Sequence, residues 1–357
     1  MFFRGRRKTT GLADDAPDTM FPHLPRGAAD MLREEAFREL HRLGFTTSWR
    51  PDGYIAATRN DTTELVGLDN VSLQLTQALQ SGEELTREDI AERITHLLDA
   101  MSRRIDPDTL SEADFLRQLK VRLVAKDMVA SVADGTGDHF TLTTRPWTDD
   151  LVTSLVIDTP TSVMTLSDRT VERRGLTGTA DLEDLWHAGY RNLWQELIDA
   201  PVDVNEIHGD DPGSNFWVVE SGSFFLASAV LFLDDLLPRW LPDLDAGDGL
   251  MVALPHRHLM LLRAVTSGAD LLTGINTVTS VSVAQFSENP GPVSPKLHLL
   301  REGAEVLPFT DVTENEDGQR VIQVYPDSYL MDRINDGKDP GDEPGDPYYP
   351  PDDPGAP

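Results

Sequence analysis

The sequence predicts an α+β protein with largely antiparallel sheets, and three observations carry that reading. The first half shows helix, hairpin and helix patterns in succession. The second half repeats strand–strand–helix units of roughly 45–50 residues, whose sequences are not alike. Runs of hairpins with intervening helices favour α+β over a parallel sheet. The 357 residues, 39% hydrophobic and 7% aromatic, suffice for two modest cores.

The first helix is expected at Asp30–Leu43, where Leu32, Ala36, Leu40 and Leu43 share one face. "GFTTSWRPDGYIAATR" reads as a hairpin turning at Pro51-Asp52-Gly53, and a third strand follows near Thr63–Leu68. Thr86 is the expected N-cap of the next helix, with Glu88 and Asp89 in its first turn and Ile90, Ile94, Leu97 and Met101 as its stripe. A further helix is expected from Glu112 to about Val129, with Phe115, Leu116, Leu119 and Leu123 inward. "VADGTGDHF" breaks the pattern and marks a boundary.

Beyond it, "LVTSLVID" and "TSVMTLS" pair as strands, and a helix spans about Leu182–Leu197. Trp186 and Trp194, eight apart on that helix, fit burial against the sheet better than ligand stacking. "VDVNEI" and "NFWVVE" are strands, as are "LMVALP" and "HLMLLRAV" before a segment from Ala269 to Gln285. "KLHLLREGAEVLPF" closes as a hairpin at Glu302-Gly303. The resulting division is a basic arm (1–27), a helix/hairpin/helix subdomain (28–135), a larger α+β domain (136–332) and an acidic Pro/Gly tail expected to be disordered (333–357).

"FWVVESGSFFLASAVLFLDDLLPRW" admits three readings: a membrane segment, a catalytic serine at a strand–helix junction, or a buried helix. Its apolar run from Phe224 to Leu233 is about half of the roughly 20 residues a membrane span requires. Neither Ser221 nor Ser223 stands in G-x-S-x-G, so a helix cap explains them better than nucleophilic chemistry. The stretch is expected to be a central buried helix, ended or kinked at Pro238.

A formal charge of −30 disfavours nucleic-acid partners. With no cysteine, thiolate metal sites, disulfides and cysteine nucleophiles are excluded. No secretory signal pattern follows the arginine-rich start, and the chain reads as cytoplasmic. Phosphate-binding loops and H-E-x-x-H are absent from the sequence. His256 and His258, one residue apart, would share a face in an extended segment and with Asp158 are the only metal or catalytic candidates, though a polar hairpin turn explains the pair more simply. Asp243, Asp245 and Asp248 do not follow the Ca²⁺-loop spacing. No catalytic residue, metal ligand or cofactor is assigned.

The order "DDLVTSLVIDTPTSVMTLSDRTVERRGLT", "LEDLWHAGYRNLWQEL", "FWVVESGSFFLASAVLFLDDL", "GDGLMVALPHRHLMLLRA" and "SPKLHLLREG" resembles the YtpQ-like family of bacterial proteins (domain of unknown function 1444). The likeness spans Asp149 to Val306; the arginine-rich start and acidic tail depart from it. It implies a soluble cytoplasmic bacterial protein and brings no activity or catalytic residue.

The function expected from all this is a non-enzymatic protein-binding or adaptor module, chaperone-like, with another protein as partner. Two alternatives stand beside it. One is a hydrolase or metal-dependent enzyme using His256 and His258 with nearby carboxylates such as Asp158. The other is a membrane-surface protein held through Arg4, Arg6, Arg7 and Lys8 of the basic arm.

Overall fold

The computed structural model describes residues 16–336, apart from 22–23, 51–53, 60–61, 84, 103–104, 160–161, 210 and 315–319. Most of the basic arm, the Pro51-Asp52-Gly53 turn and the tail from 337 lie outside the described residues. The fold is α+β, and all strand pairings among the described residues are antiparallel.

The first body comprises α1 (Arg26–Arg42), β1 (Thr46–Trp49), β2 (Tyr54–Arg59), β3 (Thr62–Gly67), α2 (Asp69–Gln80) and α3 (Arg87–Ser102). Its sheet runs β1-β2-β3. Leu32, Ala36 and Leu40 of α1 share its core with Ile55, Ala57, Val66, Ile90, Ile94 and Leu98. Thr86 caps α3 as expected: its hydroxyl accepts the Asp89 N–H at 3.2 Å, and the Asp89 carboxylate accepts the Thr86 N–H at 3.0 Å. This reciprocal pair is a capping box with Asp in the Glu position.

The second body begins with α4 (Glu112–Gln118), β4 (Leu119–Ala125), α5 (Lys126–Thr136), β5 (Thr144–Pro146), β6 (Leu151–Thr159), β7 (Ser162–Thr165), α6 (Asp168–Arg173) and α7 (Thr179–Asp199). Here the expected single helix over 112–129 is corrected. Leu119 and Leu123 satisfy a helical spacing, but Leu119, Val121 and Leu123 are buried while Lys120 and Arg122 between them are only partly so. That is the two-residue period of a strand, and β4 pairs with β6 along its whole length. The β4 residues therefore join the second core, which begins near Leu110, whereas the first ends near Met101. The two apolar clusters meet between these points, before residue 112. Gly137, with φ 68°, serves only to end α5.

α7 lies close against β4, and a Cβ at Gly189 would sit 3.1 Å from the Leu155 and Val121 side chains. Trp186 is buried beneath Arg145, as the helical spacing predicts. The chain continues through β8 (Val202–Ile207), β9 (Phe216–Ser221), a 3₁₀ segment (Leu226–Phe232), α8 (Leu233–Trp240), β10 (Leu250–His256), β11 (Leu259–Ala264) and α9 (Gly268–Glu288). Then come β12 (Pro292–Leu300), β13 (Leu307–Pro308), β14 (Thr310–Glu314), β15 (Arg320–Val324) and α10 (Ser328–Asn335). The last turn of α10 covers the first residues of the expected tail, 333–335, because Asp327 caps the helix and Leu330 anchors it.

The later strand pairs do not stack as separate repeats. They merge into one six-stranded sheet ordered β13-β12-β10-β11-β9-β8. Val252, Leu254, Met260 and Leu262 join the core that contains α7, while Met251, Ala253, Leu259 and Leu261 join the one beneath α9. Burial on both faces explains why β10 reads as a continuous apolar run.

The stretch from Phe224 to Leu233 is mostly buried, as expected, but is not the expected α-helix. Residues 225–230 are all nearly inaccessible, a 3₁₀ segment starts at Leu226, and α8 follows with Pro238 inside it. A run apolar on every side has no period, so its pattern reports burial without specifying the helix type. Ser228 is the exception in that run, and its hydroxyl accepts the Leu123 N–H of β4 at 2.9 Å.

Candidate functional site

The alternation of β4 turns Lys120 and Arg122 toward the β9–3₁₀ turn. Lys120 Nζ donates to Asp158 Oδ2 at 2.7 Å, near the end of β6, and to Glu196 Oε2 at 2.9 Å, in the last turn of α7. Ser223 donates its hydroxyl to Glu196 Oε1 at 2.8 Å, and the Lys120 ammonium lies 4.8 Å from the Phe225 ring centre. Four polar side chains from four elements thus satisfy one another.

Their ionisation follows from this arrangement. Burial alone would lower the Lys120 ammonium, but its hydrogen bonds to Asp158 and Glu196 outweigh burial and raise it. Burial would raise the Glu196 carboxyl, yet the bonds from Lys120 and Ser223 hold it below its ordinary value. Lys120 is therefore a firmly protonated cation and Glu196 a weak base, and neither is matched to take a proton from Ser223 near neutrality.

Beside this group lies a second one. The guanidinium carbons of Arg122 and Arg257 stand 4.4 Å and 4.5 Å from the Phe224 ring centre. Arg257, in the β10–β11 turn, donates Nε–H to His258 Nε2 at 2.9 Å. His258 Nδ1 is 3.0 Å from the Ser223 carbonyl and 3.2 Å from that of Ser221. These partners require the neutral Nδ1–H tautomer with the Nε2 lone pair already filled. Burial and the neighbouring Arg257 charge lower the His258 pKa. His256 Nδ1 accepts the His258 N–H at 3.3 Å; burial, helped by His258, lowers its pKa to about 4.

The three residues singled out from sequence, Asp158, His256 and His258, thus border one junction without converging on a point. His256 ends β10 and His258 lies beyond it in the turn, their rings 6.4 Å apart. Asp158 is engaged by Lys120. Among the described residues no group of three or more His, Asp or Glu side chains could hold a metal ion. Nor do Ser221 and Ser223 cap a helix: Ser221 Oγ accepts the Ser223 N–H at 3.1 Å and Ser223 Oγ accepts the Phe225 N–H at 3.2 Å, closing the turn locally.

Sequence reasoning missed Lys120, Arg122, Glu196 and Arg257 as site residues. The available signal was a pair of basic residues at alternate positions of a strand that is otherwise apolar. It also missed a polar cluster at the start of β6. Asp150 accepts from Ser294 at 2.6 Å and from Thr148 at 2.7 Å, and lies 3.2 Å from Nε2 of the fully buried His298. Burial would raise the Asp150 carboxyl, but His298, Ser294 and Thr148 hold it well below the usual carboxylate range. Serine, aspartate and histidine meet here in the wrong order for nucleophilic catalysis. The serine is bonded to the carboxylate rather than to the imidazole that would take its proton.

A cleft of about 660 Å³ opens between the 3₁₀–α8 segment and the β12–β13 connection. Half-buried Trp147, Tyr190 and Phe232 line it, with the exposed carboxylates of Asp234, Asp235 and Glu302 among its walls. No helix among the described residues is long and apolar enough to cross a membrane. Comparison of the chain with protein-family models, curated proteins and solved structures finds no match in any of the three.

Proposed function

We propose that the chain is a non-enzymatic protein-binding or adaptor module of chaperone-like type, acting in the cytoplasm and related to the YtpQ-like family it resembles. The observation that carries this reading is the cleft, whose aromatic lining and acidic residues suit a partner segment with apolar and basic side chains. The charge of −30 favours such a partner over a nucleic acid. The hydrolase reading is weakened by a protonated Lys120, a depressed Glu196 and a His258 whose acceptor nitrogen is occupied.

The test is quantitative recovery of partners from native lysate with the full chain and with the Asp234→Lys/Asp235→Lys variant. A partner retained in fixed proportion by the parent and lost by the variant supports the reading. Recovery of the parent alone, or equal retention by the charge-reversed variant, overturns it.

A further inference from the structure

Arg122 makes no ion pair or hydrogen bond among the described residues, although the chain carries thirty net negative charges. Asp158 and Glu196, the carboxylates that hold Lys120 on the same strand, are committed to that residue. Arg257 spends only its Nε–H, on a neutral imidazole. Phe224 supports both guanidiniums through its π-face, which attracts a cation without neutralising it. Burial, with the neighbouring Arg257 charge, lowers Arg122 to about 10, so Arg122 remains a cation at neutral pH. Neither is sealed away: both are only partly buried, and no guanidinium nitrogen of either is enclosed without a partner.

The placement of Arg257 is built into the backbone. Its N–H donates to the Gly291 carbonyl at 3.0 Å, and its side chain lies over Gly291 itself. A Cβ at that position would fall 2.5 Å from Arg257 Nη1, and Gly291 has φ 74°. Glycine there leaves room for the guanidinium. Two forked donors held beside one ring, with two charges uncompensated, suit the charge of an oxyanion.

We propose that Arg122 and Arg257 form a receptor for a phosphate-type dianion, at a site distinct from the cleft. Calorimetric titration of the full chain with inorganic phosphate at constant ionic strength tests this. Saturable binding is expected for the parent and for Lys296→Gln, a distant charge-removing control. Arg122→Gln and Arg257→Gln should each bind about tenfold more weakly or worse, as loss of a charge-assisted hydrogen bond implies. Melting separates binding from a structural role. Without phosphate, Arg122→Gln should melt at or above the parent, because it removes an uncompensated cation, and phosphate should no longer raise its Tm. Absence of saturable binding to the parent overturns the proposal, as does equal affinity in the arginine variants or equal weakening by Lys296→Gln. Should Arg122→Gln fail to fold, Arg257→Gln, in a surface turn, decides the question by the same readouts.

Discussion

His298 is fully buried with Nε2 3.2 Å from the Asp150 carboxylate, a contact across 148 residues of sequence that joins β12 to the start of β6. Ser294 and Thr148 bond to the same carboxylate, so one acidic side chain ties two sheets together. Asp150→Asn removes the charge all three groups address and should cost about 2 kcal/mol, read from urea unfolding. The Asp150 pKa is depressed in the folded state, so its stabilisation is present above the ordinary carboxylate pKa and lost as pH falls below it. The gap between parent and variant should therefore narrow below about pH 4.

A separate acid sensitivity comes from the histidines. His256 titrates near 4 in the fold and His258 below its usual value, so from about pH 6.5 downward the unfolded chain binds protons that the native state refuses. Stability should fall through this window by as much as about 1.4 kcal/mol per pH unit for each fully shifted group. His256→Asn should flatten the slope between about pH 6.5 and 4 in denaturant titrations; an unchanged slope would count against the buried neutral imidazole.

Lys120 stands between two carboxylates, with 12% of its side-chain surface accessible. Lys120→Met leaves Asp158 and Glu196 facing each other without a cation. Allowing for their partial exposure, the loss should be about 2 kcal/mol. Glu196→Gln in the same background should recover part of it, because one of the unpaired charges is then gone.

Ala229 is fully inaccessible within the 3₁₀ segment. Ala229→Asp forces a carboxylate into the main core, and soluble expression should be abolished. Native melting of a fully soluble variant would show that the segment is not buried in solution. The milder Ser228→Ala strands the Leu123 N–H and should cost about 1–3 kcal/mol in chemical unfolding.

The hairpins were legible because alternation and turn residues act over a few neighbours, as at "LVTSLVIDTPTSVMT" for β6 and β7. β4 was not, because Leu119 and Leu123 fit a helix and a strand equally well. What decides between them is the ladder with β6, whose residues begin 26 positions after Ala125. The polar sites fail the same way: Lys120 meets Asp158 and Glu196 at separations of 38 and 76 residues. His256 and His258 drew notice as neighbours in sequence, whereas Arg257 between them is the residue left with spare hydrogen-bonding capacity.

The bond from Ser228 to Leu123 has a consequence for how the molecule behaves in a crowd. β4 is the border strand of its sheet, and half of its amides point away from β6. Such a row is a template on which another chain can add a strand. The 3₁₀ segment lies along that border and engages one of its amides. It therefore acts as a guard against self-association: variants that loosen it should form intermolecular β-structure before the rest of the fold gives way.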